Sequence, residues 1–314
     1  MEQKALQVGT VVILLALLLR LAGTRQDLAM EAGRALVFFG TGRLVTETES
    51  PTLAATPTEA EVISQETAVP VFSREDLVQV SSAWEVDTLS LLLSPLHWQL
   101  RGEQPTVLIL HTHTTESFEN TEGYTQSSPY RTLEEDYNMV SVGAEVAEIL
   151  EAAGIHVIHD REFHDYPDYN SAYANARERI GEILQENPSI CLVLDLHRDA
   201  AENAQGQQVK ETVELDGVTS AKLMLVMGSD QGSLSHAQWQ KNLSLAVKLQ
   251  AQLEREYPGL CKPIHLVTAR YNQDLSTGAL LVEVGTAGNT RQEALQAARY
   301  LAQGIIALAD GANR

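Results

Sequence analysis

Cysteine is nearly absent: the 314 residues carry two, Cys191 and Cys261, and no CxxC pair. That excludes a thiolate zinc knuckle, while a single disulfide stays open on spacing alone. Cys191 lies inside the apolar run 190–196 and reads as an inert core thiol. Basic residues are scarce too. Lys and Arg number 22 against 42 Asp and Glu, for a formal charge of −20. A chain this negative repels a phosphate backbone, which argues against a nucleic-acid partner. No internal repeat occurs, so a solenoid is set aside. The apolar share of 44% is too high for full disorder and leaves room for one large domain with extensions.

The first 25 residues stand apart. Positions 5–23 are apolar except for Gln7, Thr10 and Arg20, close to the roughly 20 residues that a bilayer span needs. This length favours an uncleaved transmembrane anchor over residues 1–25 rather than a cleaved signal peptide. Residues 26–70 read as a linker, partly disordered. Their second half, 46–70, is rich in Thr, Glu, Ala and Pro and has no aromatic residue, so it cannot bury a core. Residues 71–104 regain apolar side chains such as Val80, Trp84 and Trp98 and form a lead-in, either a small subdomain or a flap.

From Pro105 short apolar runs alternate with amphipathic segments. Runs 107–111, 155–159, 190–197, 222–227 and 280–284 are expected to be strands. Segments 138–153, 171–186, 237–257 and 291–310 have apolar residues at three- and four-residue spacing and are expected to be helices. Near-continuous apolar strands separated by helices predict an α/β domain over 105–314, with a mostly parallel twisted sheet flanked by helices. In such sheets ligands gather outside the C-terminal strand ends, and the polar residues collect there.

Three strand ends carry chemistry. The first runs Val107, Leu108, Ile109, Leu110, His111, Thr112, His113, Thr114, Thr115, Glu116. Histidines at i and i+2 share a side if the strand continues, and both could meet one metal ion. The second runs Leu192 to Asp195, then Leu196, His197, Arg198 and Asp199; the third brings Glu283 to the end of an apolar run. Singly these are weak signals, but together, at corresponding ends of one sheet, they point to a metal site. His159 and His164 read as loop or groove-lining residues, and Tyr166, Tyr169 and Tyr173 as either the wall of a substrate groove or edge packing.

His111-Thr112-His113-Thr114-Thr115-Glu116, with Asn138 to Gly143, His164 to Asn170 and His197 to Ala200, resembles the stage II sporulation protein P family. That family is similar to the zinc-dependent N-acetylmuramoyl-L-alanine amidases. The resemblance implies Zn2+ as cofactor, with His113, Glu134 and His197 as ligands and Glu283 as the catalytic acid/base. Glu134 comes from counting back from Asn138, and Glu135 and Asp136 stand beside it. His111 is left as a neighbour of the metal site or a solvated loop residue. The reaction implied is hydrolysis of the amide between the muramic acid lactyl group and L-Ala in peptidoglycan, with a second endopeptidase activity on stem peptides. Also implied are a setting in engulfment during sporulation, a single-pass place in the mother-cell membrane with the catalytic domain outside the cytoplasm, facing the septal intermembrane space, and stage II sporulation proteins D and M as partners. The competing expectation is a degenerate amidase that binds wall or recruits partners without hydrolysis.

Overall fold

The computed structural model describes residues 77–96, 98–119, 124 and 130–312. The expected anchor and linker therefore lie outside the described residues. Among those described, no helix is long and apolar enough to cross a membrane. The described residues outside 202–205 make up one compact unit.

Its centre is a seven-stranded sheet built from β1 (Val80–Ser81), β2 (Val107–Leu110), β3 (Val157–His159), β4 (Leu192–Asp199), β7 (Leu223–Met227), β8 (Ile264–Leu266) and β9 (Ala279–Thr286). The spatial order is β1-β8-β7-β9-β4-β2-β3. Every neighbouring pair is parallel except β7 and β9, which are antiparallel. The α/β class with a mostly parallel sheet is thus as expected. A separate hairpin joins β5 (Thr212–Leu215) to β6 (Val218–Ala221). Its two-residue turn is Asp216-Gly217, both at positive φ, which matches the twist of the flanking strands.

The helices are α1 (Thr88–Leu93), α2 (Met139–Ala152), α3 (Ala172–Glu186), α4 (Trp239–Glu256) and α5 (Arg291–Ala312). Each of the last four lies within two residues of its expected bounds at either end. Local chemistry sets the starts. Asn138 Oδ1 accepts the Val140 N–H at 2.9 Å to begin α2. Thr290 and Glu293 bond reciprocally to each other's backbone N–H at the start of α5, a capping box.

Strand alternation divides the sheet's side chains between two cores. Leu194, Leu196, Leu280, Val282 and Val284 face the larger one, with residues of α2, α4 and α5. Leu108, Leu110, Val193 and Ala279 face the smaller one, under α3. The three-helix face is closed, whereas the other carries one helix over β2–β4 and leaves the far part of β4 and β9 for the loops. The lead-in contributes β1, which pairs with β8 at the sheet edge, and α1. Lys248 of α4 donates to the Leu91 carbonyl at 3.1 Å and to that of Leu92, which satisfies the end of α1. Both cysteines are free.

Candidate active site

β2 ends at Leu110, and the chain turns at once, so the two following histidines part company. His111 keeps the direction of Ile109 and enters the closed face, fully buried. Its Nδ1 lies 3.1 Å from the Leu196 carbonyl and its Nε2 2.9 Å from His159 Nε2. The pair sits against Gly143 of α2, where a Cβ would come within 2.5 Å of His159 Nε2 and 2.6 Å of His111 Nε2. Burial, with the neighbouring histidine second, pulls the His111 imidazolium down to about 3. Burial and then Arg161 pull that of His159 down to about 4. Both rings are neutral near pH 7.

The turn after His111 is pinned by Asp195. Its two oxygens accept the Thr112 N–H at 2.8 Å and the Thr112 hydroxyl at 2.6 Å. Thr114 Oγ1 donates to the His111 carbonyl at 2.7 Å, and the Glu116 N–H to the His113 carbonyl at 3.0 Å. This folding delivers His113 and Glu116 to the face opposite His111.

There they meet β4 and β9. Asp195, His197 and Glu283 share that face by alternation from Val193 and Ala279. His197 Nδ1 stands 3.5 Å from Glu116 Oε2. Its Nε2 stands 2.9 Å from Asp195 Oδ1, off the ring N–H axis. His113 lies edge-on to His197, ring centroids 5.4 Å apart, and stacks flat on Tyr169 at 4.5 Å. Its Nδ1 is buried without a hydrogen-bond partner, as is Glu283 Oε2.

The electrostatics follow from this packing. For His197 burial disfavours charge, but Asp195 and then Glu116 outweigh it and hold the imidazolium well above its ordinary range. Glu116 is buried, yet the Arg198 charge and the contact with His197 keep its carboxyl well below the usual range. Glu283 is the opposite case: burial pushes it up to about 8. Two carboxylates in different environments, one held ionised and one with its proton affinity raised toward neutrality, are the arrangement that divides ligand from proton carrier.

Of the residues named from the sequence, the structure gathers His113, His197 and Glu283 but not Glu134. Glu134 is exposed and opens a short turn, Glu135–Tyr137, with no side-chain contact to either histidine. The reason is Asn138, whose side chain is committed to capping α2 and to the Thr132 carbonyl, so the residues before it ride on the surface. The carboxylate placed beside the histidines is Glu116, in the very stretch that carries His113. Asp195 was also missed, although the spacing Asp195-Leu196-His197 on a strand puts both side chains on one face.

These donors suit a zinc ion. Two ligands of a tetrahedral ion with bonds of about 2.0–2.1 Å lie roughly 3.3–3.4 Å apart, and His197 Nδ1 to Glu116 Oε2 is 3.5 Å. The Nδ1 of His113, which has no hydrogen-bond partner, would be a third donor, and Asp195 stands where a carboxylate would back a ligating histidine. His113 stands further off. Among the described residues, the group of His, Asp or Glu donors all within 4.8 Å of one another is Asp160, Glu162 and His164. That group is already engaged in ion pairs and hydrogen bonds within the protein. His164 Nε2 lies 2.9 Å from Asp160 Oδ2, and Arg179 Nε lies 3.2 Å from Asp160 Oδ1 and 3.7 Å from Glu162 Oε2.

Comparison with known proteins places the chain. The curated stage II sporulation protein P of Bacillus subtilis (strain 168) is 27% identical over 216 residues, which cover 65% of this chain and 51% of that protein. The chain thus spans about half the length of the curated relative it matches. Among solved structures, N-acetylmuramoyl-L-alanine amidase AmiC2 of Nostoc punctiforme matches 66% of this chain and 98% of its own, at 15% identity and a TM-score of 0.38. The N-acetylmuramoyl-L-alanine amidase of Clostridium difficile 630 matches 67% and 97%, at 14% identity and the same score. The family model described as stage II sporulation protein P matches residues 37–306, most of the chain, and the chain belongs to that family.

Proposed function

We propose that this chain hydrolyses peptidoglycan during sporulation, cutting the amide between the lactyl group of muramic acid and L-Ala. The observation that carries the reading is the convergence of Glu116, His197 and Glu283 on one sheet face, with the ring of His113, whose Nδ1 has no hydrogen bond, edge-on to His197. Zinc, held by His113, Glu116 and His197, would supply a Lewis acid and a water acidic enough to attack near neutral pH. The chain's own groups do the rest. Glu283, with its proton affinity near neutrality, takes the proton of the attacking water and returns it to the leaving amine of L-Ala. Asp195 holds His197 in place from behind, and Tyr169 holds the His113 ring flat.

The finer readings belong to the same proposal: endopeptidase cleavage of stem peptides at this one centre, a membrane anchor in residues 1–25 with the catalytic domain outside the cytoplasm, and stage II sporulation proteins D and M as partners. The family membership supports the setting. The degenerate alternative, a wall-binding module without hydrolysis, is disfavoured because a module that only binds has no use for a carboxylate oxygen buried without a hydrogen bond, as Oε2 of Glu283 is.

The test is digestion of purified murein with the zinc-loaded protein, read by mass spectrometry. Free stem peptides with an L-Ala amine are expected from wild type and none from Glu283→Gln. Binding without release of peptides would establish the degenerate module instead.

A further inference from the structure

Two adjacent residues without glycine occupy the left-handed region: Tyr271 at φ +50° and Asn272 at φ +58°. Side chains other than glycine adopt this conformation at a cost, and it persists where surrounding structure over-determines it. Here the surroundings do. Asn272 Nδ2 donates to the Tyr173 carbonyl at 2.8 Å. Gln273 Oε1 accepts the Gly228 N–H and its Nε2 donates to the Val226 carbonyl, both at 2.8 Å. Asn242 Nδ2 donates to the Gln273 carbonyl at 2.8 Å, and Arg177 grips both Asp274 oxygens at 2.9 and 2.8 Å.

This frame delivers one side chain. The Tyr271 ring lies 5.8 Å from that of Tyr173, which is edge-on to His113 at 5.5 Å. Tyr271 is half-buried, and among the described residues its hydroxyl has no protein partner. Burial, and then the charge of Glu283, push its phenol above the ordinary range. A phenol in that setting keeps its proton and can donate it in a hydrogen bond. Tyr271 is thus a rigidly held donor, one ring removed from His113 through Tyr173, whose hydroxyl is free to bond to a bound substrate.

We propose that Tyr271 is a catalytic residue of this site, donating a hydrogen bond to the carbonyl oxygen of the scissile amide as negative charge builds there. The inference rests on the hydrolytic reading above. Attack forms the bond from water oxygen to carbonyl carbon while the water proton passes to Glu283. The carbonyl electron pair moves onto its oxygen, where Tyr271 donates. Collapse then breaks the carbon–nitrogen bond, and the proton on Glu283 goes to the departing amine. A donor that strengthens as charge develops acts on kcat rather than on substrate affinity.

The test uses the full chain, zinc-loaded and detergent-solubilised, on purified murein, with wild type, Glu283→Gln, Tyr271→Phe and Tyr271→Gly side by side. Loss of one oxyanion donor lowers kcat by about 10²-fold. Tyr271→Phe is expected to show that fall with KM, zinc content and melting temperature unchanged. Tyr271→Gly is expected to be equally slow but more heat-stable, because the backbone strain is relieved. A phenylalanine variant within about threefold of wild-type kcat, or one that raises KM alone, overturns the inference. So does a glycine variant that melts lower, which would make the residue a packing element. If wild type releases no stem peptides, the hydrolytic reading falls and takes this one with it. If wild type is active, Glu283→Gln is dead and Tyr271→Phe is normal, only the inference falls.

Discussion

Glu283 is the cross-strand partner of His197 in the β4–β9 ladder, and the register slips immediately beyond them, between His197 and Asp199. Two side chains opposite each other on paired strands are held by backbone hydrogen bonds on both sides, so neither depends on a loop for its position. His113 and Glu116 arrive on a turn instead, and that turn is fastened to β4 through Asp195.

The carboxylate assignment is the first point to check. Glu116→Gln is expected to lose bound zinc, whereas Glu134→Gln keeps a full equivalent and unchanged stability, as befits an exposed side chain. Elemental analysis after dialysis decides it, and the reverse pattern would restore Glu134 as the ligand.

Asp195 acts on the site through others. Its partners are His197 Nε2 and two groups of Thr112. Asp195→Asn should weaken zinc affinity by roughly 10–100-fold, the usual scale for a group behind a ligating histidine. Competition with a chelator of known affinity measures it. Unchanged affinity would mean that the turn holds itself.

Acid should weaken the fold through the His111–His159 pair. The folded values, about 3 and about 4, lie below the unfolded value of 6.5. Above pH 6.5 both states are neutral and these groups give no pH dependence. Below it the unfolded chain takes up protons first, so stability falls until the pH reaches the folded values. By pH 5 the loss is on the order of 1–2 kcal/mol per histidine. Urea unfolding at pH 7.5 and pH 5 would register it, and His159→Gln should remove about half of the difference, leaving the share of buried His111. A slope undiminished in that variant places the cause elsewhere.

Gly143 is a packing requirement. Gly143→Ala drives a methyl to within 2.5–2.7 Å of the two imidazoles, and overpacking of this kind costs about 1–3 kcal/mol. A fall in the denaturation midpoint at constant m-value is expected. No change would show that the pair can turn aside freely.

Much of this was legible in the sequence, and the rest was not for identifiable reasons. The five long apolar runs and four amphipathic segments were visible because burial on both faces, or on one helical stripe, writes a period into the chain. β8 and β1 were missed because three and two residues are too short to carry one. The reversal of β7 against β9 leaves no trace in the pattern, since a buried strand reads the same in either direction. His113, His197 and Glu283 were read from the sequence at the ends of apolar runs, and the structure brings the three together on one side of the sheet. Glu116 was overlooked although it stands three residues from His113, because the count from Asn138 assumed that the loop before α2 turns inward. The lone glycine in α2 gave no hint of what it faces, as that depends on the tertiary contact and not on its neighbours in sequence.

That contact also bears on how the sequence can vary. Positions 111, 143 and 159 lie on three different elements, yet they share one small volume. A larger residue at 143 is compatible only with smaller ones at 111 or 159, so across relatives these three positions are expected to change as a set. Positions 113 and 197 stand outside that volume and should vary independently of it. The two histidines of one three-residue stretch would then belong to different groups of co-varying positions.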